Sequence, residues 1–220
     1  MQIVKAKEIK VDKITAFIYG IPGIGKTTLL SMLPGKTLII DIDRGTNVLA
    51  GADNIDVVRV SEDIHELREI YEYLSSGKEK YDNICLDSLS ELERGMLAYY
   101  GRLGNNNGVP ALDAYNRVDY RIVDWCRHFR DLSGNIIYTA WETQKEITAS
   151  LTGEKYSQAR PMLREKICEN IMGLCDIVGR LTTSQKDNAR YIMLEGTPNV
   201  IAKDRLGKRK YCTYEDFFKR

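Results

Sequence analysis

The segment that most restricts the fold of this chain is the glycine-rich sequence at residues 20–27. It reads Gly-Ile-Pro-Gly-Ile-Gly-Lys-Thr, which is the pattern Gly-x-x-x-x-Gly-Lys-Thr. An apolar stretch, residues 14–19, precedes it, and a segment with helical character, residues 27–33, follows it. In that strand–loop–helix context the pattern predicts a phosphate-binding loop, whereas the alternative is a glycine turn without a ligand.

The motif predicts a site for ATP with Mg²⁺. The glycines let successive backbone N–H groups converge on one anion, and the helix that begins there adds its positive end. Lys26 is expected to reach the β- and γ-phosphates and to face solvent without nucleotide, and the Thr27 hydroxyl is expected to bind Mg²⁺. The predicted nucleotide-binding residues are Gly20, Ile21, Pro22, Gly23, Ile24, Gly25, Lys26, Thr27 and Thr28.

Composition narrows the class of protein. The 220 residues fit a single domain, residues 1–220, and 32 basic residues balance 31 acidic ones, which argues against a general nucleic-acid coat. The sequence has no apolar run of the roughly 20 residues that span a bilayer, and its first residues lack a signal-peptide core, so we expect a cytoplasmic protein without membrane contact. The five cysteines form no Cys-x-x-Cys pair, and buried free thiols are expected rather than a zinc site.

The order of elements predicts an α/β fold with a mainly parallel sheet flanked by helices. Short apolar runs alternate with amphipathic helical segments, and antiparallel edge strands follow near the carboxyl terminus. Helices are expected at 61–76, 114–133 and near 162–175, and mobile loops at 101–110 and 143–161. The predicted strands are 15–19, 37–42, 56–60, 83–87, 135–140, 176–181 and 191–194.

Two carboxylates stand at the ends of predicted strands. Asp87 follows Ile84-Cys85-Leu86 and is expected to help bind Mg²⁺, although it or Ser88 could instead cap the next helix. Asp43 ends the second strand and is expected to position and deprotonate the water that attacks the γ-phosphate, unless residues 43–45 are only a polar turn.

Further candidates lie later in the chain. Glu142, just after the strand at 135–140, or Thr139, near the end of that strand, could sense the γ-phosphate, while Trp141 could simply pack. Lys203 and Arg205 are two residues apart and could form an arginine finger that reaches a neighbouring subunit. The alternatives for these two cations are a nucleic-acid contact or a solvated basic segment.

Together these motifs resemble those of small phage-encoded RecA-like ATPases of the single-strand annealing and recombination type. Residues 38–43 resemble the strand that carries a catalytic Glu in RecA-type recombinases, with Asp43 in its place. Residues 84–89 resemble their Asp-Ser motif, and residues 203–207 resemble the Lys-x-Arg finger of hexameric relatives. Where the recombinases place a Gln sensor, this chain has Trp141-Glu142.

The resemblance implies a RecA-like P-loop NTPase that hydrolyses ATP and binds single-stranded DNA. It also implies self-association through a shared ATP site, with a single-strand-binding protein as a further partner, in the host cytoplasm. Loops 101–113 and 143–160 would then face the DNA. They offer Arg102, Lys145, Lys155, Tyr156 and Arg160 as contacts.

Two other classes of function compete with this one. A small-molecule or nucleotide kinase would transfer phosphate to a nucleoside monophosphate, but a kinase lid usually carries several arginines and the 143–160 loop has only Arg160. A non-hydrolysing nucleotide switch would bind ATP tightly without turnover.

Overall fold

A computed structural model describes residues 4–8, 11–60, 64–150, 152–184, 186 and 188–218. Within these residues ten strands join one sheet and five α-helices pack on it. The strands are β1 (Thr15–Gly20), β2 (Thr37–Asp41), β3 (Ile55–Arg59), β4 (Asn83–Asp87), β5 (Asn135–Thr148), β6 (Lys155–Pro161), β7 (Ile177–Thr183), β8 (Arg190–Met193), β9 (Lys203–Asp204) and β10 (Tyr211–Cys212). The helices are α1 (Lys26–Leu30), α2 (Ile64–Ser75), α3 (Leu89–Leu103), α4 (Leu112–Asp131) and α5 (Glu165–Leu174).

The sheet is mainly parallel, as the sequence predicted. Its order is β10-β8-β7-β1-β5-β4-β2-β3, and the six strands from β7 to β3 run parallel. Strands β8 and β10 extend the sheet in antiparallel fashion beyond β7, which confirms the expected edge strands. Because β1 lies between β5 and β7, the segment that follows β1 is next to the ends of both neighbours.

Apolar side chains cover both faces of the sheet. Tyr19, Ile40 and Tyr138 belong to the larger core, which α2, α3, α4 and α5 cover with residues such as Phe129 and Ile167. On the other face, residues of α1 pack with β1, β7, β8 and the segment 212–218. The central strands are mainly apolar in their middle positions because both faces are buried. All five cysteines are buried and unpaired, as expected.

One predicted loop is wrong. Residues 143–161 form a β-hairpin, in which β5 continues past its buried part and pairs with β6 from Glu142↔Pro161 to Thr148↔Lys155. The ladder satisfies the backbone hydrogen bonds although the side chains are mostly polar and half-exposed, so the apolar signal for a strand is weak there. Gly153, at a φ of 73°, lies in the turn between the two strands.

Other boundaries differ by small amounts. The first α-helix ends at Leu30, earlier than predicted, because Ser31 folds back and its hydroxyl donates to the Thr28 carbonyl at 2.7 Å. The predicted loop at 101–110 begins only after α3 ends at Leu103. The first three residues of the helix predicted at 61–76 lie outside the described residues. None of the helices in the described segments is long and apolar enough to cross a bilayer.

Candidate functional site

The glycine-rich loop connects the end of β1 to α1. Gly23 and Gly25 have φ values of 77° and 103°, in the left-handed region that favours glycine, so the sequence requirement at these positions is conformational. At Gly20 the reason is space, because a Cβ there would lie 2.8 Å from the carbonyl oxygen of Leu181 on β7. With only five residues in α1, the site depends on the loop and its side chains more than on a helix dipole.

Lys26 lies inside the loop, not in solvent, so that expectation was wrong. Its side chain is 8% exposed, and Nζ donates to the carbonyl oxygens of Gly20 at 3.0 Å and Ile21 at 3.1 Å. Burial lowers the pKa of Lys26, while the nearby carboxylates Asp87, Asp43 and Glu142 oppose that shift. The ammonium therefore sits among three carboxylates within hydrogen-bond reach of its own loop.

Asp87 and Thr27 form the pair expected to bind Mg²⁺. Thr27 Oγ1 donates to Asp87 Oδ2 at 2.7 Å, and Thr139 Oγ1 donates to Asp87 Oδ1. Asp87 is 1% exposed, and burial raises the pKa of its carboxyl while the two hydroxyl bonds lower it. Ser88 is the residue that caps α3, accepting from the Glu91 N–H at 3.4 Å, so Asp87 is not used as a cap.

The donor set of this pair fits Mg²⁺. Mg²⁺ prefers hard oxygen ligands, and a buried carboxylate bonded only to neutral hydroxyls is stabilised by a nearby cation. The described residues contain no group of three or more His, Cys, Asp or Glu side chains that could hold a metal. The ion would therefore complete its shell with phosphate oxygens and water, which is the usual arrangement for Mg²⁺ at nucleotide sites.

Asp43 lies beside this pair in the bend after β2. The Gly45 N–H donates to Asp43 Oδ1 at 3.3 Å and to Asp41 Oδ1 at 3.0 Å, so the two carboxylates converge on one backbone amide. A Cβ at Gly45 would lie 3.0 Å from Asp43 Oδ1 and 3.7 Å from Thr27 Oγ1. Asp43 is therefore close to the pair of side chains, Thr27 and Asp87, that is expected to bind Mg²⁺. Burial, with repulsion from Asp87 and Asp41, raises the pKa of Asp43 to about 6.

Asp41 has a structural role. It is fully buried at the end of β2, and its Oδ2 accepts from the Thr46 hydroxyl at 2.5 Å. Together with the Gly45 bond, this contact holds the turn that carries Asp43.

Glu142 forms a bidentate ion pair that the sequence did not reveal. Its Oε1 accepts from Arg180 Nη2 at 2.7 Å and its Oε2 accepts from Arg180 Nε at 2.9 Å. The Glu142 side chain is 4% exposed and that of Arg180 is 23% exposed. Since Glu142 is on β5 and Arg180 on β7, the pair spans the end of β1, directly below the phosphate loop.

The neighbours of Glu142 divide into two roles. Thr139 contacts the Asp87 carboxylate, which is the contact described above. Trp141 has a packing role, which was the alternative considered for it. The Arg94 guanidinium lies 4.5 Å from the centroid of the Trp141 ring, and the backbone N–H of Trp141 donates to the Ser90 hydroxyl at 2.9 Å.

Lys203 and Arg205 lie far along the sheet from the phosphate loop of the same chain. Strand β9 pairs with the start of β7, whereas the phosphate loop follows the end of β1, which runs parallel to β7. Lys203 Nζ donates to the Met172 carbonyl, and Arg205 Nη2 donates to the Gly173 carbonyl at 3.3 Å, both at the carboxyl end of α5. In this chain the two cations satisfy helix-end carbonyls, and a finger role requires a second subunit.

Two residues from the carboxyl-terminal part also lie against the loop. The Tyr214 hydroxyl is 3.3 Å from both the Ile24 and Gly25 carbonyl oxygens, and Tyr214 is 7% exposed. A Cβ at Gly25 would lie 3.4 Å from Arg190 Nε. No sequence signal marked either residue. For Arg180, which sequence reasoning also missed, the available signal is a charged residue within the apolar strand Ile177-Val178-Gly179-Arg180-Leu181.

Comparisons with known proteins agree with this fold. The model of the AAA_24 family, described as AAA domain, matches residues 12–206. No curated protein matches the chain.

Among solved structures, an ATPase from the type III secretion system of pathogenic bacteria is 16% identical to this chain, with a TM-score of 0.51. The match covers 87% of this chain and 58% of that ATPase. The assembled ATPase EscN of the enteropathogenic E. coli type III secretion system is 15% identical with a TM-score of 0.50, and the match covers 77% of this chain and 43% of EscN. A KaiC-like protein, PH0186 from Pyrococcus horikoshii OT3, is 16% identical with a TM-score of 0.48, over 84% of this chain and 79% of its own. The chain therefore spans less than two thirds of the two secretion ATPases, and its similarity to these two concerns the fold alone, an α/β fold with a mostly parallel sheet between helices.

Proposed function

Since the chain belongs to the AAA_24 family of AAA domains, we propose that it is a Mg²⁺-dependent ATPase that acts on single-stranded DNA in phage recombination or annealing. The observation that carries the ATPase part is the contact of Thr27 with Asp87 beside Asp43. The phosphate loop, the Thr27–Asp87 pair that would hold Mg²⁺, and the Asp43 carboxylate that would accept a proton lie at one edge of the sheet. Phosphoryl transfer needs these parts, because catalysis of this reaction consists mainly of positioning and charge stabilisation.

Each residue has a defined task in this proposal. Lys26 and the N–H groups of residues 23–28 hold the phosphates, and Thr27 with Asp87 would hold Mg²⁺. The ion, when bound, withdraws negative charge from the phosphate oxygens. Asp43 orients the attacking water and accepts its proton, for which a pKa of about 6 is well suited near neutral pH.

Glu142 links the site to the β5–β6 hairpin in this proposal. It is the first hairpin residue, and its charge acts on Lys26. A negative γ-phosphate near Glu142 would compete for the Arg180 guanidinium, so nucleotide binding would alter the ion pair at the base of the hairpin.

Self-association and the partners are supported by the resemblance described above. Lys203 and Arg205 would leave the end of α5 and contact the γ-phosphate of a neighbouring subunit, since they lie away from the loop of their own chain. Single-stranded DNA, and a single-strand-binding protein, complete the proposed set of partners. A kinase lid is not supported, because Arg160 is 8% exposed and lies 3.7 Å from Glu165.

The test is the rate of ATP hydrolysis with and without single-stranded DNA, with Lys26→Ala as the inactive control. The proposal predicts hydrolysis that requires Mg²⁺ and rises when DNA is added. Tight ATP binding without turnover would instead identify a nucleotide switch. Transfer of phosphate to a nucleoside monophosphate, unaffected by DNA, would identify a kinase.

A further inference from the structure

An open groove of about 970 Å³ runs over the part of the sheet formed by β7, β8 and β10. Register places Arg180, Thr182, Tyr191, Met193 and Tyr211 of its lining on one face, because Arg180 pairs with Met193, Thr182 with Tyr191, and Met193 with Tyr211. Tyr211 is 70% exposed and Tyr191 partly exposed. The two rings meet edge to face with centroids 6.3 Å apart. The groove thus presents a pair of aromatic rings on an accessible sheet surface.

The groove is also basic. Its described lining residues include four cations, Arg180, Lys186, Arg190 and Lys210, and one carboxylate, Glu195, which lies 3.6 Å from Lys210. Arg180 is neutralised by Glu142, so the free positive charge comes from the other cations. Among the described residues, neither Lys186 nor Arg190 has a carboxylate within ion-pair distance, and both are exposed. This charge favours an anionic ligand.

The hairpin that the sequence assigned to DNA differs in this respect. Lys145 pairs with Glu165 at 2.5 Å, and Lys155 pairs with Glu146 at 2.8 Å. A phosphate approaching the hairpin must displace a carboxylate from each lysine, whereas in the groove Lys186 and Arg190 are accessible without that exchange. The electrostatics therefore favour the groove over the hairpin.

We infer that this groove is where the protein binds single-stranded DNA, an inference that rests on the DNA-binding part of the proposed function. Unpaired bases stack on Tyr191 and Tyr211, and Lys186, Arg190 and Lys210 contact the phosphates. Aromatic rings on a basic sheet surface are a common way to bind single strands, because every base has a face that can stack.

The position of the groove also offers a route by which bound DNA would affect the ATP site, as the proposed function expects. Arg180 lines the groove and is held by Glu142 below the phosphate loop, and Arg190 lies against Gly25 of that loop. A strand bound in the groove therefore contacts residues one side chain away from the nucleotide site. DNA bound here would shift the position of Arg180 or Arg190 without contacting Lys145 or Lys155 of the hairpin.

The test measures fluorescence anisotropy of a labelled oligo-dT of about 20 nucleotides, longer than the roughly 4–16 nucleotides that one such surface occupies. The double variant Y191A/Y211A should bind at least about tenfold more weakly, a change of about 1.4 kcal/mol. Y211F keeps the stacking surface and should bind as the wild type does. Lys186→Ala should reduce the slope of log K against log salt by about one.

The control is the hairpin double variant K155A/Y156A, which removes from the hairpin one cation and one ring, the two kinds of group that the groove variants remove. Thermal melting and DNA-free ATP hydrolysis, compared with the wild type, show that each variant is folded. The inference predicts normal DNA binding by the hairpin variant.

Three results would overturn the inference. Loss of binding in the hairpin variant with normal binding in the groove variant would place the DNA on the hairpin and leave the proposed function intact. A wild type that hydrolyses ATP but does not bind oligo-dT would refute the DNA-binding part of the function as well. Normal DNA binding by Y191A/Y211A, with a changed oligomer size in DNA-free solution, would make the groove an interface between copies of this chain.

Discussion

Replacing Asp43 by Asn should stabilise the protein while removing its activity. Burial and the neighbouring carboxylates raise the pKa of Asp43 from 3.8 to about 6. A carboxyl whose pKa is raised by folding destabilises the folded state once it ionises. That cost is absent below about pH 4, grows between pH 4 and 6, and is constant at higher pH.

The size of the effect follows from the pKa shift. One pKa unit corresponds to about 1.36 kcal/mol, so a shift of about two units costs up to about 3 kcal/mol at pH 7.5 and about 1 kcal/mol at pH 4.5. Asn has no charge and keeps an oxygen that can accept the Gly45 N–H. Asp43→Asn should therefore raise the free energy of unfolding by up to about 3 kcal/mol at pH 7.5, and by less as the pH falls.

Urea denaturation across this pH range, with EDTA to exclude metal, measures the effect. Asp56→Asn is the matched control, because hydrogen bonds from Tyr81 and Lys36 lower the pKa of Asp56, and this substitution should destabilise at pH 7.5. The reasoning is refuted if Asp43→Asn is no more stable than the wild type at pH 7.5. A gain that stays the same at pH 4.5 would also refute it, since the gain would then not come from charge.

Three further outcomes are expected. Arg180→Ala should lower the free energy of unfolding, measured by urea denaturation, by about 2 kcal/mol because it leaves the buried Glu142 carboxylate without its cation. The double variant E142Q/R180A should lower it by at least about 0.5 kcal/mol less than the sum of the two single variants. Additive losses would mean that the pair is not coupled. Asp87→Asn should abolish the rise in melting temperature that Mg²⁺ adds to ATP, while the metal-free protein melts no lower than the wild type; an unchanged Mg²⁺ effect would place the metal elsewhere. Mixing Arg205→Ala with Lys26→Ala should restore part of the ATPase rate if the site is shared between subunits, and no rescue at any ratio would indicate a site within one chain.

Much of the fold follows from local patterns in the sequence. Continuous apolar runs such as residues 83–87 and 135–140 predict central strands, because a strand covered on both faces needs no polar positions. The loop glycines are equally readable, since Gly23 and Gly25 adopt positive φ values that other residues avoid. The hairpin was missed because its side chains are polar and its stability comes from backbone pairing.

The candidate site is readable only in part. Thr27, Asp87 and Asp43 stand next to recognisable strand ends, so a local pattern identifies them and the parallel sheet brings them together. Arg180 and Tyr214 are more than 150 positions beyond the phosphate loop, and only the strand order β10-β8-β7-β1, with Tyr214 just after β10, places them beside it. The expected exposure of Lys26 failed for a similar reason, because the carbonyls of Gly20 and Ile21 point inward and bind its ammonium.

The most direct test of the account measures ATP binding and ATP hydrolysis on the same samples of three proteins. The wild type should bind and hydrolyse Mg²⁺-ATP, Asp43→Asn should bind it but hydrolyse it at least about a hundredfold more slowly, and Lys26→Ala should do neither. A wild type that binds ATP without hydrolysing it, or an Asp43→Asn variant as fast as the wild type, would contradict the account.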